Sequence, residues 1–169
     1  CRYCDFYSHP GERGVPEAYV DALLRELSRF APEAPLQPDT LYFGGGTPSL
    51  LRPEQAKRLI DAARPMPGAE ITLEANPETV TEESLAGFRE AGVNRISFGV
   101  QSARDTQLRT LGRPHTAKQA RAAFAAAQRA GFTNISGDIM LALPHYTEAE
   151  FDETLELIEG QHGLIIYYR

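Results

Sequence analysis

At 169 residues, 42% of them hydrophobic and 24% charged, the chain has the length and composition of one soluble globular core. Its net charge of -6, with arginines scattered among acids, argues against nucleic acid as principal partner, which would need clustered positive charge. No run of eighteen apolar residues and no charged-then-apolar leader marks a transmembrane segment or an export signal, so a cytoplasmic setting is expected.

The chain opens on its only two cysteines, in Cys1-Arg2-Tyr3-Cys4. Such a pair suits a redox dithiol, two ligands of a soft metal, or an incidental pairing, while a structural disulfide does not fit a reducing compartment. A first residue other than methionine reads as a piece of a longer chain, with room for another ligand upstream.

From there, short β-branched or aromatic runs alternate with helical patterns, the signature of βα units and a parallel sheet. A helix is predicted over 16–30, opened by Pro16, then a strand over 39–44 running into Gly44-Gly45-Gly46-Thr47-Pro48. The Pro-rich 31–38 reads as one connection between them. A helix over 53–64 starts at Pro53, a strand follows over 70–75, and Thr81 before two acids opens a helix over 81–91. A strand over 94–100, a helix over 116–130, a strand over 133–139, a helix over 147–160 and a last strand over 163–168 complete the series. Thr116 with Gln119 and Thr147 with Glu150 match the capping box, and Gly92 and Gly131 sit where helices end. The stretch 91–97 resembles 130–136, a helix end followed by a strand start in both places, which favours a barrel or an open βα array.

In parallel α/β folds, ligands bind beyond the carboxyl ends of the strands. Gly45, Gly46 and Thr47, then Glu74 with Asn76, Gln101 with Ser102, and Asp138 all fall at that rim. The glycine run lacks the Lys-Ser/Thr of a P-loop and the GxGxxG spacing, so it suits either a plain loop or a close backbone approach to a ligand. Glu74 and Asp138 suit either a structural hydrogen bond or a ligand contact, since a carboxylate in an apolar strand needs a partner. Taken singly, Gln101 suits structure, Arg113 the surface, and His115 a satisfied loop histidine or a metal ligand.

Taken in order, these segments resemble the radical S-adenosylmethionine (SAM) family, in its branch of oxygen-independent coproporphyrinogen III oxidases and related heme chaperones. Cys1-Arg2-Tyr3-Cys4-Asp5-Phe6 resembles the second half of the family's C-x3-C-x2-C loop, and Tyr42-Phe43-Gly44-Gly45-Gly46-Thr47-Pro48 its glycine motif. Leu73-Glu74-Ala75-Asn76-Pro77, the stretch 95–102, Leu111-Gly112-Arg113 with His115, and Asp138-Ile139-Met140 with Leu143-Pro144 follow in family order.

The resemblance implies an α/β fold that is a fragment of a (βα)6 partial TIM-type barrel of parallel strands. It also implies a 4Fe-4S cluster held by three cysteines, with S-adenosylmethionine on the open iron as source of a 5′-deoxyadenosyl radical. Cys1 and Cys4 are then cluster ligands, the first family cysteine lying four residues before Cys1, outside this sequence. Tyr3 is expected at the adenine, Gly45, Gly46 and Thr47 at the methionine end, and Glu74, Gln101, Arg113 and Asp138 as hydrogen-bonding groups, Arg113 suited to a carboxylate and Asp138 to ribose hydroxyls. The core is expected to be truncated at both ends, with residues 161–169 a weak match to the next strand and the substrate or heme region beyond residue 169.

Phe6 separates the branches. The oxidase carries a further cysteine two residues after its third ligand, and here that position is phenylalanine, so a heme chaperone with heme as cargo is the expected function. An electron donor and a heme-accepting protein are the further partners this implies. The alternative is the oxidase itself, decarboxylating coproporphyrinogen III, and a third reading is a zinc or dithiol module, which leaves the glycine run, Glu74, Gln101 and Asp138 without a role.

Overall fold

The computed structural model describes residues 3, 4, 6, 14–30, 37–141, 143, 145–161 and 163–168, with the side chains of 30 and 164–168 excepted. Five strands, β1 (Thr40–Phe43), β2 (Glu70–Ala75), β3 (Arg95–Gln101), β4 (Asn134–Met140) and β5 (Leu164–Tyr168), form one sheet in chain order. Every neighbouring pair is parallel. Helix α1 (Glu17–Phe30) precedes β1, and α2 (Pro53–Ala63), α3 (Glu82–Ala91), the short α4 (Asp105–Leu111) with α5 (Ala117–Arg129), and α6 (Glu148–Glu159) make the crossovers. Right-handed crossovers between strands taken in unbroken order stack all the helices on one face, which is the winding of a barrel segment rather than of a doubly wound sheet.

Side-chain alternation bears this out. Ile71, Leu73 and Ala75 of β2, Ile96, Phe98 and Val100 of β3, and Ile135 and Ile139 of β4 join Leu59, Ile60, Leu85, Phe88, Phe124 and Ile158 of the helices in one buried cluster. The Phe98 and Phe124 rings sit 5.1 Å apart between centroids. Gly137 completes the helix-facing side of β4, because a Cβ there would press on Ile158 and Phe124.

Hydrogen bonds place the helix ends. Thr81, Thr116 and Thr147 hydroxyls accept from the amides of Ser84, Gln119 and Glu150 at 3.1, 3.2 and 3.3 Å, each such cap stabilising its helix by about 1 kcal/mol. The repeat read at 91–97 and 130–136 is a helix-ending motif used twice: the Val93 amide returns to the Phe88 carbonyl and the Phe132 amide to that of Ala127, both at 3.0 Å.

The helices differ from expectation mainly at α4, a seven-residue helix in a stretch for which the sequence predicts no element. It is one turn too short to show a periodic stripe, and Arg104 at its start makes no side-chain cap. Strand β3 also runs one residue past the expected 94–100, bringing Gln101 inside the sheet. No helix among the described residues is long and apolar enough to cross a membrane.

Candidate functional site

A parallel sheet covered on both faces reads as nearly continuous apolar residues. Here the face turned away from the helices carries Tyr42 on β1, Thr72 and Glu74 on β2, Arg95, Ser97 and Gly99 on β3, and Ser136 and Asp138 on β4, alternating residue by residue with the apolar set. The polar residues become acidic toward the carboxyl ends, where Tyr42 donates its hydroxyl to Glu74 Oε1 at 2.8 Å. The glycine turn lies against that pair, with the position of a Cβ on Gly44 only 3.5 Å from the Glu74 carboxyl carbon. Gly45 and Gly46 are exposed, and among the described residues nothing stands within 4 Å of where a Gly45 side chain would be. Thr47 turns its hydroxyl onto the Gly46 carbonyl at 2.8 Å.

Strand β3 ends in a strained turn. Gln101 has φ of 68°, and the Ser102 amide donates back to the Val100 carbonyl at 2.9 Å, the tight three-residue turn that side chains other than glycine seldom adopt. The register against β4 shifts at the same place, from Gly99 opposite Asp138 to Gln101 opposite Ile139. This turn aims the buried Gln101 carboxamide at the rim, where its Oε1 has no hydrogen-bond partner among the described residues. His115, fully enclosed, braces the turn: its Nε2 faces the Val100 carbonyl at 3.2 Å and its Nδ1 faces Glu78 Oε2 at 3.2 Å. A carbonyl only accepts, so Nε2 carries a proton. Burial alone would raise the Glu78 carboxyl, but its contact with His115 and its own backbone hydrogen bond outweigh that and lower it.

Arg113 reaches the same spot from the far side of α4. Gly112, at φ 72°, lets the chain turn out of the helix, and the Arg113 amide returns to the Leu108 carbonyl at 2.8 Å. Its guanidinium then donates to the Gly99 carbonyl at 2.6 Å and to Asn76 Oδ1 at 3.0 Å.

Asp138 is 8% exposed and accepts from the Ser97 hydroxyl at 2.9 Å. Burial pushes its carboxyl up to about 6, against the pull of that hydrogen bond and of Arg95 and Arg113, with Glu74 adding to the rise. Tyr3 lies within electrostatic reach of Arg113, Cys4, Asp138 and Glu78, and burial raises its phenol. Cys4 is an exposed free thiol. Cys1 lies outside the described residues, and among those described no three His, Cys, Asp or Glu side chains are grouped to hold a metal ion.

The structure thus brings Tyr3, Glu74, Gln101, Arg113 and Asp138 together beside the glycine turn. Sequence reasoning missed Tyr42, Arg95, Ser97 and Ser136, whose signal was the period-two spacing that leads to Glu74 and Asp138. His115 is buried and its Nε2 is satisfied by the Val100 carbonyl. Its Nδ1, although 3.2 Å from Glu78 Oε2, makes no hydrogen bond of good geometry among the described residues, so the reading as a satisfied histidine holds for one ring nitrogen only.

A singly wound βα sheet with an open glycine turn, an exposed cysteine and an unsatisfied carboxamide at its strand ends defines a cofactor-binding α/β protein of barrel type. The chain belongs to the radical SAM superfamily, whose model matches residues 1–158. It is similar to the heme chaperone HemW of Bacillus subtilis, 38% identical over 162 residues that make up 92% of this chain and 42% of that protein. The heme chaperone HemW of Escherichia coli is 41% identical over 150 residues, 85% of this chain and 40% of that one. Among solved structures, the coproporphyrinogen III oxidase HemN of Escherichia coli, a radical SAM enzyme, superposes with a TM-score of 0.76 at 29% identity, over 90% of this chain and 37% of that one. The chain therefore spans about two fifths of the length of the curated relatives it matches. The family brings with it a 4Fe-4S cluster and S-adenosylmethionine as cofactors.

Proposed function

We propose that this chain is the cofactor-binding core of a heme chaperone of the HemW type. Cys4, with Cys1, ligates the cluster, and Tyr3, Gly45, Gly46, Thr47, Glu74, Gln101, Arg113 and Asp138 bind S-adenosylmethionine. The residues fit that molecule. The bare glycine turn next to Glu74 admits an amine or carboxylate at backbone distance. The free Oε1 of Gln101 accepts from a donor, and a carboxylate such as that of Asp138 accepts two hydroxyls of a ribose. Bound there, the cluster supplies one electron to the sulfonium. The protein's part is to orient: the turn at Gln101, braced by His115, and Arg113, held by Gly99 and Asn76, set donors and acceptors in place before the ligand arrives.

Phe6 carries the choice of chaperone over oxidase, standing 63% exposed where the oxidase loop has its additional cysteine. The named relatives point the same way, since both HemW proteins match more closely in sequence than the oxidase does. Heme is then the cargo, with an electron donor and a heme-accepting protein as partners. The test is to reconstitute the full-length protein anaerobically, titrate it with heme and incubate it with coproporphyrinogen III and S-adenosylmethionine. Saturable heme absorbance with unchanged porphyrinogen supports the chaperone; decarboxylated porphyrinogen overturns it in favour of the oxidase.

A further inference from the structure

Four residues below the rim form a chain whose hydrogens can point only one way. Arg95 donates through Nη2 to the Ser136 hydroxyl at 3.0 Å, the Ser136 and Ser97 hydroxyls are 2.8 Å apart, and Ser97 Oγ is 2.9 Å from Asp138 Oδ1. A guanidinium has only donors and an ionised carboxylate has only acceptors. Ser97 has a single hydrogen, and it goes to Asp138. The hydrogen between the serines must therefore come from Ser136, whose oxygen is left to accept from Arg95. Both serines are fully buried, so water does not replace a missing link.

Strand register builds the chain. Ser97 stands opposite Ser136, and Gly99 opposite Asp138, so β3 offers no side chain beside the carboxylate and Asp138 leans back onto Ser97. Arg95 is itself held from β2, donating through Nη1 to Thr72 Oγ1 at 3.2 Å.

We infer that Arg95, Ser136 and Ser97 are positioning residues that act as a directed relay, fixing the rotation of Asp138 and holding it ionised to receive ligand hydroxyls. The inference rests on the reading of Asp138 as a cofactor-binding group. Asp138 is faced by Glu74 from β2, which opposes ionisation, and by Arg95 from β3, Arg113 from the end of α4 and Tyr3 from the cysteine loop. Of the two arginines, Arg95 is the one wired to Asp138 through hydrogen bonds. A relay of aligned hydroxyls carries its polarity where its own reach ends.

The test uses full-length protein with carboxyl-labelled aspartate, read by carbon NMR from pH 4 to 8 without ligand, together with calorimetric titration of S-adenosylmethionine into the reconstituted protein. In the parent, the Asp138 resonance and the affinity both change through about pH 6. Ser97→Ala and Arg95→Met each raise that midpoint by about one pH unit, so affinity at pH 6 falls about fivefold while the curves converge near pH 8; Arg95→Lys restores most of the loss. An Asp138 midpoint unmoved in both Ser97→Ala and Arg95→Met overturns the relay. Asp138→Asn separates the two claims: if it leaves affinity unchanged, the binding role of Asp138 fails, while the NMR titration still judges the relay. Ser97→Ala deletes one oxygen, so the test stands even where Arg95→Met does not fold.

Discussion

The Arg113 guanidinium rests on the backbone of Gly99, 2.6 Å from its carbonyl oxygen, and a Cβ at that glycine would fall inside contact distance of Arg113 Nη2. The same Cβ would stand 3.1 Å from Gln101 Nε2 and 3.3 Å from Asn76 Oδ1. Gly99 is thus the space in which three polar side chains from different elements meet. Gly99→Ala is expected to push Arg113 out of place and to weaken S-adenosylmethionine binding by on the order of tenfold or more, with a stability loss of about 1–3 kcal/mol. Calorimetry and thermal unfolding of the same variant read both.

Tyr42 makes the corresponding contact at the other edge, its hydroxyl on Glu74 Oε1. The ring is 52% exposed, so Tyr42→Phe should change stability by less than about 0.5 kcal/mol. Binding should weaken about three- to tenfold, because Glu74 loses the donor that orients it. Equal affinity in the variant would remove Tyr42 from the site.

Much of this was legible in the sequence, for identifiable reasons. Strands showed because most of their helix-facing residues are β-branched or aromatic, such as Ile71, Ile96, Phe98, Val100, Ile135 and Ile139, and helices showed where Thr81, Thr116 and Thr147 cap them. Residues 31–36, most of the Pro-rich connection, lie outside the described residues, as do Cys1 and Pro144 of the family motifs. The helix at 105–111 was hidden by its length, although Gly112 carries the same stop signal as Gly92 and Gly131. The site was half legible. Glu74 and Asp138 stand out as acids in apolar strands, whereas Ser97 and Ser136 are ordinary strand residues until parallel register sets them side by side. The turn at Gln101 was not legible at all, since its strain arises from the register shift and from His115, both products of tertiary structure.

Asp138 makes the site costly to keep. Its carboxyl is raised from 3.8 to about 6, and at about 1.4 kcal/mol per unit its ionisation near pH 7 takes about 3 kcal/mol from the fold. Stability from this group is therefore greatest below pH 3.8 and is lost as pH rises through about 6. Asp138→Asn should raise stability at pH 7 by up to about that amount while weakening S-adenosylmethionine, measured by denaturant unfolding at pH 5 and 7.

Glu78 acts with the opposite sign. Its carboxyl is held below 4.5 in the folded chain despite burial, through His115 and a backbone hydrogen bond, so its stabilisation is present above pH 4.5 and fades as pH falls through the lower folded value. Glu78→Gln should flatten that acid limb, and His115→Ala should cost about 1–3 kcal/mol at neutral pH by leaving Glu78 and the Val100 carbonyl without their partner. Urea midpoints between pH 3 and 7 for the two variants decide it.

The most direct test of the cofactor site is the electron paramagnetic resonance spectrum of the reduced, anaerobically reconstituted full-length protein, with and without S-adenosylmethionine. The account predicts that S-adenosylmethionine alters the cluster signal and that Gln101→Ala and Asp138→Asn require a higher concentration to produce the same change. A cluster signal indifferent to saturating S-adenosylmethionine would contradict it.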